Sequence, residues 1–401
     1  MRVPGDRLTI AVAGQSIEPM SVGADRSPLR PGSLRVALCG VAWSISSLYG
    51  CAEGGTSPPE DLVFASGNVE FWADPALPIC GGTFEFVDGF AAGFAGSLPA
   101  EVEAGDPIVY HYARQDQIAS LCTTEGALAC ARGAEVYTAS AVQTHEVVHA
   151  VRQLAYGGNF PGSSVFEEGL AVYYSSSVEQ FHYGGRLDLG ELTPAKVNLG
   201  AGQYVPAGHF AAFMHETNPA ADYQRFVADV AGAQTLDDYA EPYALHTGRE
   251  WSADLSGYAD YPKCPHYAFV PRPVECAKEP SSVLTGEGQQ TLEVERFSCA
   301  DPDAIGPDES RAWGSLVVEN PGTAILEVSL SVESTDAADD RVYVDFAPCG
   351  GGCSHAPESH AFTETLGDDI LLHVAPGRSV LRFAISVDAE ADLRFVFTAV
   401  R

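Results

Sequence analysis

Basic residues are scarce in this chain. Lys and Arg number 22 against 54 Asp and Glu, a formal net charge of −32 over 401 residues. No basic stripe is available to neutralise a phosphate backbone, which excludes nucleic acid as a partner. The acidity serves solubility instead. Charged residues of both signs make up only 19% of the chain, and with 40 Gly and 26 Pro this describes a folded, loop-rich protein rather than a disordered one. Internal repeats and low-complexity tracts are absent. So are paired CxxC units, which argues against a cysteine-based zinc site. The length allows two domains or one large one.

Long apolar runs are also missing. The longest near the start, Val36 to Tyr49, follows Arg30 and Arg35. It is too short for a confident membrane span and has the length of a signal-peptide core. It ends in Leu48-Tyr49-Gly50-Cys51, which resembles a bacterial lipobox, with a small residue ahead of a cysteine to be acylated. Tyr49 is an unusual occupant of such a box, and a plain cleaved signal is the alternative. Residues 1–29 make a long leader, so a start at Met20 is a second reading of this end. Export as a cell-envelope lipoprotein anchored at Cys51, or by secretion, is the expectation.

The cysteines agree with export. Apart from Cys39 and Cys51, an even set remains: Cys80, Cys122, Cys130, Cys264, Cys276, Cys299, Cys349 and Cys353. In an exported chain an even count implies disulfides. Short spacings suggest Cys122–Cys130, Cys264–Cys276 and Cys349–Cys353, leaving Cys80 for Cys299. On that pairing the Cys349-Gly350-Gly351-Gly352-Cys353 loop is a disulfide-closed hairpin tip.

Residues 1–51 are read as extension and signal, and 52–60 as a Gly- and Pro-containing linker. Alternation predicts strands at Asn68–Trp72, Ile108–Tyr112 and Ala134–Thr138. Helical spacing predicts helices over Phe84–Leu98, Gln115–Leu121, Val142–Tyr156, Ser164–Tyr174, Pro206–Glu216 and Pro219–Val230. From Gln290 onward, short alternating runs separated by turn residues predict an antiparallel β-sandwich. The expected fold class is therefore α+β, with a catalytic domain at 61–280 and an all-β accessory domain at 281–401.

The informative segment is Thr144-His145-Glu146-Val147-Val148-His149. On a helix, His145 and His149 lie one turn apart on one face, where two imidazoles can bind one Zn²⁺. Glu146, one residue on, is placed to act as general base toward an attacking water. The surrounding residues are uncharged until Arg152. A catalytic zinc needs a third protein ligand and an open position. No His between Arg152 and Gly158 supplies one, whereas Glu168 on the next predicted helix can.

Residues 150–167, 18 in all, separate His149 from Glu168-Gly169-Leu170-Ala171. HExxH, this spacing and Glu-Gly-Leu-Ala together resemble the zinc site of the gluzincin metallopeptidases of the peptidase MA type. The resemblance covers roughly residues 60–260 and is specific between 145 and 171. It implies a zincin-like fold, with a mixed sheet beside the active-site helices. It also implies Zn²⁺ on His145, His149 and Glu168, Glu146 as base, and a peptide or protein substrate. Glu167 stands where the family's aminopeptidases often carry Asn, and no GxMEN-like segment precedes the helix, so amino-terminal specificity is not implied. Tyr204-Val205-Pro206-Ala207-Gly208-His209-Phe210 resembles the Tyr-x-x-Ala-Gly-Ser-Phe stretch of many gluzincin-like proteins. By that resemblance Tyr204 donates to the oxyanion of the reaction, with His209 as a second donor. The strand ahead of the zinc helix is, in that family, commonly the edge on which substrate backbone pairs.

Asp336, Asp339 and Asp340 read as an acidic loop between strands, and His355, His360 and His373 as surface or packing residues. The rival reading of function is an exported binding or adhesion lipoprotein with a vestigial or structural zinc site.

Overall fold

The computed structural model describes residues 60–99, 106–122, 127–157, 164–175, 186–188, 199, 201–230, 233, 235–308, 310–334, 342–354, 361–363 and 369–400. The signal segment, Cys51, nearly all of the linker, the acids at 336–340, His355 and His360 lie outside the described residues. All described residues belong to one unit, Gly54–Arg401.

The first half builds a small mixed sheet and covers it with helices. Strands β1 (Asp61–Ala65), β2 (Val69–Ala73), β3 (Ile108–Tyr112), β4 (Ala129–Arg132) and β5 (Glu135–Thr138) lie in the order β1-β2-β3-β5-β4. Pairing is parallel for β2–β3 and β3–β5 and antiparallel at both edges. Alternation decides which face is covered: Val69, Phe71 and Ala73 on β2 and Ile108, Tyr110 and Tyr112 on β3 are buried. Helices α1 (Thr83–Ala95) and α2 (Gln115–Leu121) connect the strands. The stripe Phe86, Phe90 and Phe94 of α1 recurs every fourth residue and enters the core.

After β5 the chain turns helical: α3 (Thr144–Tyr156), α4 (Ser164–Tyr174), α5 (Tyr204–Thr217), α6 (Ala220–Asp229), α7 (Ala240–Thr247), α8 (Trp251–Tyr258) and the short α9 (His266–Phe269) and α10 (Pro273–Cys276). Helix α4 crosses α5 at van der Waals limits. A Cβ on Gly169 would lie 2.7 Å from the Ala207 carbonyl oxygen, and one on Gly208 would lie 2.4 Å from Val172 Cγ1. The two motif glycines therefore permit the helix crossing itself.

The remaining strands are β6 (Ser282–Val283), β7 (Gln289–Ser298), β8 (Ile305–Asp308), β9 (Arg311–Asn320), β10 (Leu326–Ser334), β11 (Tyr343–Pro348), β12 (Ala361–Thr363), β13 (Ile370–Val374), β14 (Gly377–Ser386) and β15 (Glu390–Ala399). They form a sheet ordered β13-β10-β15-β7 and a second ordered β12-β11-β14-β9-β6, with β8 paired to β9. The two sheets share one core, to which Leu330, Phe395 and Phe397 contribute from the first and Phe346, Leu381 and Phe383 from the second. The α+β class expected from the sequence is thus present.

The change of character at 280/281 marks where helices give way to strands inside one unit. Every residue of β11 is buried, on both faces of its sheet. One face meets the other sheet and the outer one meets α9 and α10. Across that seam Arg272 reaches Asp345 at 3.2 Å, and Arg382, opposite Asp345 on the neighbouring strand, lies 3.1 Å from it. Glu275 completes the cluster 3.9 Å from Arg382. Disulfides cross the same seam: Cys80–Cys299, Cys264–Cys353 and Cys276–Cys349, with Cys122–Cys130 local to the first sheet. Two of the expected pairs are present. The other two, Cys264–Cys276 and Cys349–Cys353, are not: the Gly350–Gly352 loop docks on the helices, and each of its cysteines bridges outward. Gly351, at φ +64°, packs against the Phe269 carbonyl, and the backbone NH of Cys353 donates to the Tyr261 hydroxyl at 2.8 Å. Four disulfides place the protein in an oxidising, exported setting. Among the described residues no helix is long and apolar enough to cross a membrane.

Candidate metal centre

Helix α3 begins at Thr144, so His145 and Glu146 occupy its first turn and His149 the second. Buried Val147, Val148, Ala150 and Val151 hold the helix against the core. Helix α4 presents Glu168 to the two histidines. His145 Nε2 lies 3.0 Å from Glu168 Oε2, His149 Nε2 3.3 Å from the same oxygen, and the two Nε2 atoms 3.3 Å from each other. The rings stand nearly perpendicular, at 79°.

This triangle fits a metal ion. Ligand bonds of about 2.0–2.1 Å in tetrahedral directions separate neighbouring donor atoms by about 3.3 Å. Among the described residues, these three form the group of His, Cys, Asp and Glu side chains that can hold a metal ion. His145 Nδ1 is buried with no hydrogen-bond partner among the described residues. With Nε2 aimed at the triangle, Nδ1 is where the proton of a neutral imidazole resides.

His149 and Glu168 act on each other's titration. Burial opposes charge on His149, but the hydrogen bond and the charge of Glu168 outweigh it and raise the imidazole to about 9. Burial likewise opposes ionisation of Glu168. Hydrogen bonds from His145 and His149 overcome this and hold its carboxyl far below the usual carboxylate range.

Glu146 is half-buried on the same helical turn, and its carboxylate has no hydrogen-bond partner among the described residues. Its charge is felt at His149, Tyr110 and Tyr204. Tyr204 opens α5, with its ring 6.1 Å from that of His145. Burial, followed by the charges of Glu168 and Glu146, pushes its phenol up to about 12, so it keeps its proton and remains a donor.

His209 does not join this group. Five residues after Tyr204 on one helix, it is rotated away by about 140°. Its side chain is buried, with Nδ1 3.0 Å from the Tyr258 hydroxyl and Nε2 2.9 Å from the Pro262 carbonyl oxygen. Both ring nitrogens are spent on the fold, so the expected second donor is withdrawn. Strand β5 is also not a sheet edge, because β4 pairs along it from Ala129–Thr138 to Arg132–Glu135. The edge on this side is β4, tied to the end of α2 by Cys122–Cys130. A four-residue strand followed at once by the turn at Gly133 carries too little alternation to be read from the sequence.

Arg152 and Glu167 form a unit that the sequence pattern does not announce. Arg152 is fully buried; its Nε donates to Glu167 Oε2 at 2.9 Å and a terminal nitrogen donates to Oε1 at 2.8 Å. It also donates to Gln224 on α6 and lies over the Tyr156 ring at 5.2 Å. The available signal was one charge interrupting the apolar flank of the histidine helix, together with one more Glu than a ligand role requires.

No protein-family model matches this chain, and no curated protein does. Among solved structures, a Legionella pneumophila aminopeptidase A in complex with aspartic acid is similar over 80% of this chain and 34% of its own, at 11% identity and a TM-score of 0.29. A Podospora anserina GH26-CBM35 β-(1,4)-mannanase is similar over 29% of this chain and 28% of its own, at 12% identity and a TM-score of 0.18. The chain spans about a third or less of the length of either protein. Likenesses this distant carry no argument about fold or activity.

Proposed function

We propose that this protein is an exported zinc-dependent peptidase of the gluzincin type, hydrolysing peptide bonds in peptides or proteins. On this reading the helical half is a zincin-like catalytic domain and the two facing sheets are its β-sandwich partner. The observation that carries the proposal is the convergence of His145, His149 and Glu168 at tetrahedral spacing, with a carboxylate on the same helical turn, Glu146, that has no hydrogen-bond partner among the described residues. A structural metal site has no use for that carboxylate.

His145, His149 and Glu168 would hold the zinc, which supplies Lewis acidity to water and to the scissile carbonyl when bound. Glu146 accepts the proton of the attacking water and returns it to the leaving amine. Tyr204 keeps its phenolic proton and donates it as a hydrogen bond to the oxygen on which negative charge develops. No covalent intermediate with the chain is required.

Two variants test the proposal. Glu146→Gln is expected to retain about one zinc per chain by elemental analysis while cleavage of a peptide library falls by about 10²–10⁴-fold, the usual weight of a general base. Glu168→Ala is expected to lose the metal. A wild-type protein that takes up no zinc from excess metal refutes the proposal. One that binds zinc and cleaves nothing in the library leaves an exported binding protein as the better reading.

A further inference from the structure

Two glutamates stand side by side on α4, and only one reaches the histidines. Consecutive residues on a helix are about 100° apart, so a roll of α4 by about that angle would exchange Glu167 for Glu168 at the triangle. Both are carboxylates of the same reach, and the ligand chemistry alone does not distinguish them.

The distinction is made one turn further along α3. Arg152 lies three residues after His149 and binds Glu167 through two parallel hydrogen bonds. One contact between two helices leaves them free to pivot about it. A second, directed contact from the neighbouring residue removes that freedom. The fork geometry of guanidinium against carboxylate fixes orientation as well as distance. A third restraint, independent of charge, comes from Gly169. It alone of its neighbours lacks the Cβ that would meet the Ala207 carbonyl, so a rolled α4 would push Glu168 or Leu170 into α5.

Desolvating a guanidinium and a carboxylate costs several kcal/mol per ion, and apolar side chains of similar volume commonly give equal or greater stability. A fully buried Arg152 beside the ligand helix is therefore costly if stability is all it provides. Resting on the metal-site reading above, we propose that Arg152 and Glu167 are positioning residues. Their ion pair holds α4 at the azimuth that brings Glu168 to His145 and His149.

The test is the zinc affinity of the full chain, measured by chelator competition with Zn²⁺ alone, beside the melting temperature of the metal-free protein. The double variant Arg152→Met/Glu167→Leu removes both charges and leaves no uncompensated ion. It is expected to melt near or above the wild type, yet to bind Zn²⁺ about 10- to 100-fold more weakly, the range found when groups that orient metal ligands are removed. Arg152→Lys keeps the charge but not the fork, and is expected to bind about three- to tenfold more weakly than wild type, between it and the double variant. It also reads the same quantity should the double variant not fold. Wild-type affinity in a folded double variant, or in Arg152→Lys, overturns the positioning role and leaves a purely structural ion pair. Failure of the wild type to bind Zn²⁺ refutes the metal-site reading instead, so the two failures are separable.

Discussion

The helices that carry His145, His149 and Glu168 and the two facing sheets are held together by different means. Between the sheets the core is hydrophobic, with Val, Leu, Ile and Phe alternating inward along β9, β10, β14 and β15. Around α3, α4 and α5 the interior includes Arg152, Glu167, Gln224 and His209, all buried and bonded, and helix crossings that only glycine permits. A core of alternating apolar residues tolerates exchange provided volume is kept. A buried polar network does not, because each member left unpaired bears its full desolvation cost. The helical layer is thus the more specified region and the sheets the more forgiving one. The seam between them shares the character of the helical layer, with Arg272, Asp345, Arg382 and Glu275 buried along it.

The largest test of this contrast separates the regions. Residues 60–280 produced alone are expected to show no cooperative unfolding transition by circular dichroism. Cys80, Cys264 and Cys276 lose their disulfide partners, and buried Arg272 and Glu275 lose Asp345 and Arg382. A fragment that melts cooperatively and binds zinc would show that the helical region stands by itself.

A smaller effect comes from one substitution made at two glycines. At Gly169 the new Cβ meets a backbone carbonyl at 2.7 Å, and Gly169→Ala is expected to destabilise by about 1–3 kcal/mol despite the better helix propensity of alanine. At Gly89, inside α1, it meets Val274 Cγ1 at an ordinary 3.6 Å, and Gly89→Ala is expected to stabilise by about 0.5–1 kcal/mol. Denaturant midpoints at unchanged m-value check both signs. Equal signs would mean that the α4–α5 crossing is less tight than described.

The contrast also carries a dependence on pH. His149, ordinarily near 6.5 and here about 9, carries a proton that a metal must displace. Zinc affinity is therefore expected to rise about tenfold per pH unit across that interval and then to level off. In the metal-free protein, the stabilisation from His149 is complete below 6.5 and is lost as pH rises through about 9. That from Glu168 is present above its ordinary 4.5 and is lost as pH falls toward its lowered value. Melting in the presence of chelator should show the largest contribution of the triad between 4.5 and 6.5. A flat profile would mean that His149 and Glu168 do not interact.

Local pattern was sufficient for many elements. Strand Ile108–Tyr112 and helices Gln115–Leu121 and Ser164–Tyr174 coincide with their expected bounds, because apolar period and turn residues mark both ends. The cluster of His145, His149 and Glu168, which could hold a metal ion, was legible because HExxH sets two histidines on one helical face, and the following helix offered a glutamate. His209 was misjudged because motif likeness says nothing of helix azimuth relative to the site. The pairings Cys264–Cys353 and Cys276–Cys349 are not legible in the spacing, because cysteines near in sequence here lie apart in space.

By itself the sequence determined the α+β class, the helices that bear His145, His149 and Glu168, the alternating strands after Gln290, and the oxidised state of the cysteines. All of these follow from periodicity within a few turns, or from counting. Only the tertiary structure decided that Glu167 belongs to Arg152, that β4 covers β5, that the glycine loop bridges outward, and that helices and sheets form one unit. Those are matters of which distant surfaces meet, and the free energy of such contacts is set by burial and pairing that no local window contains.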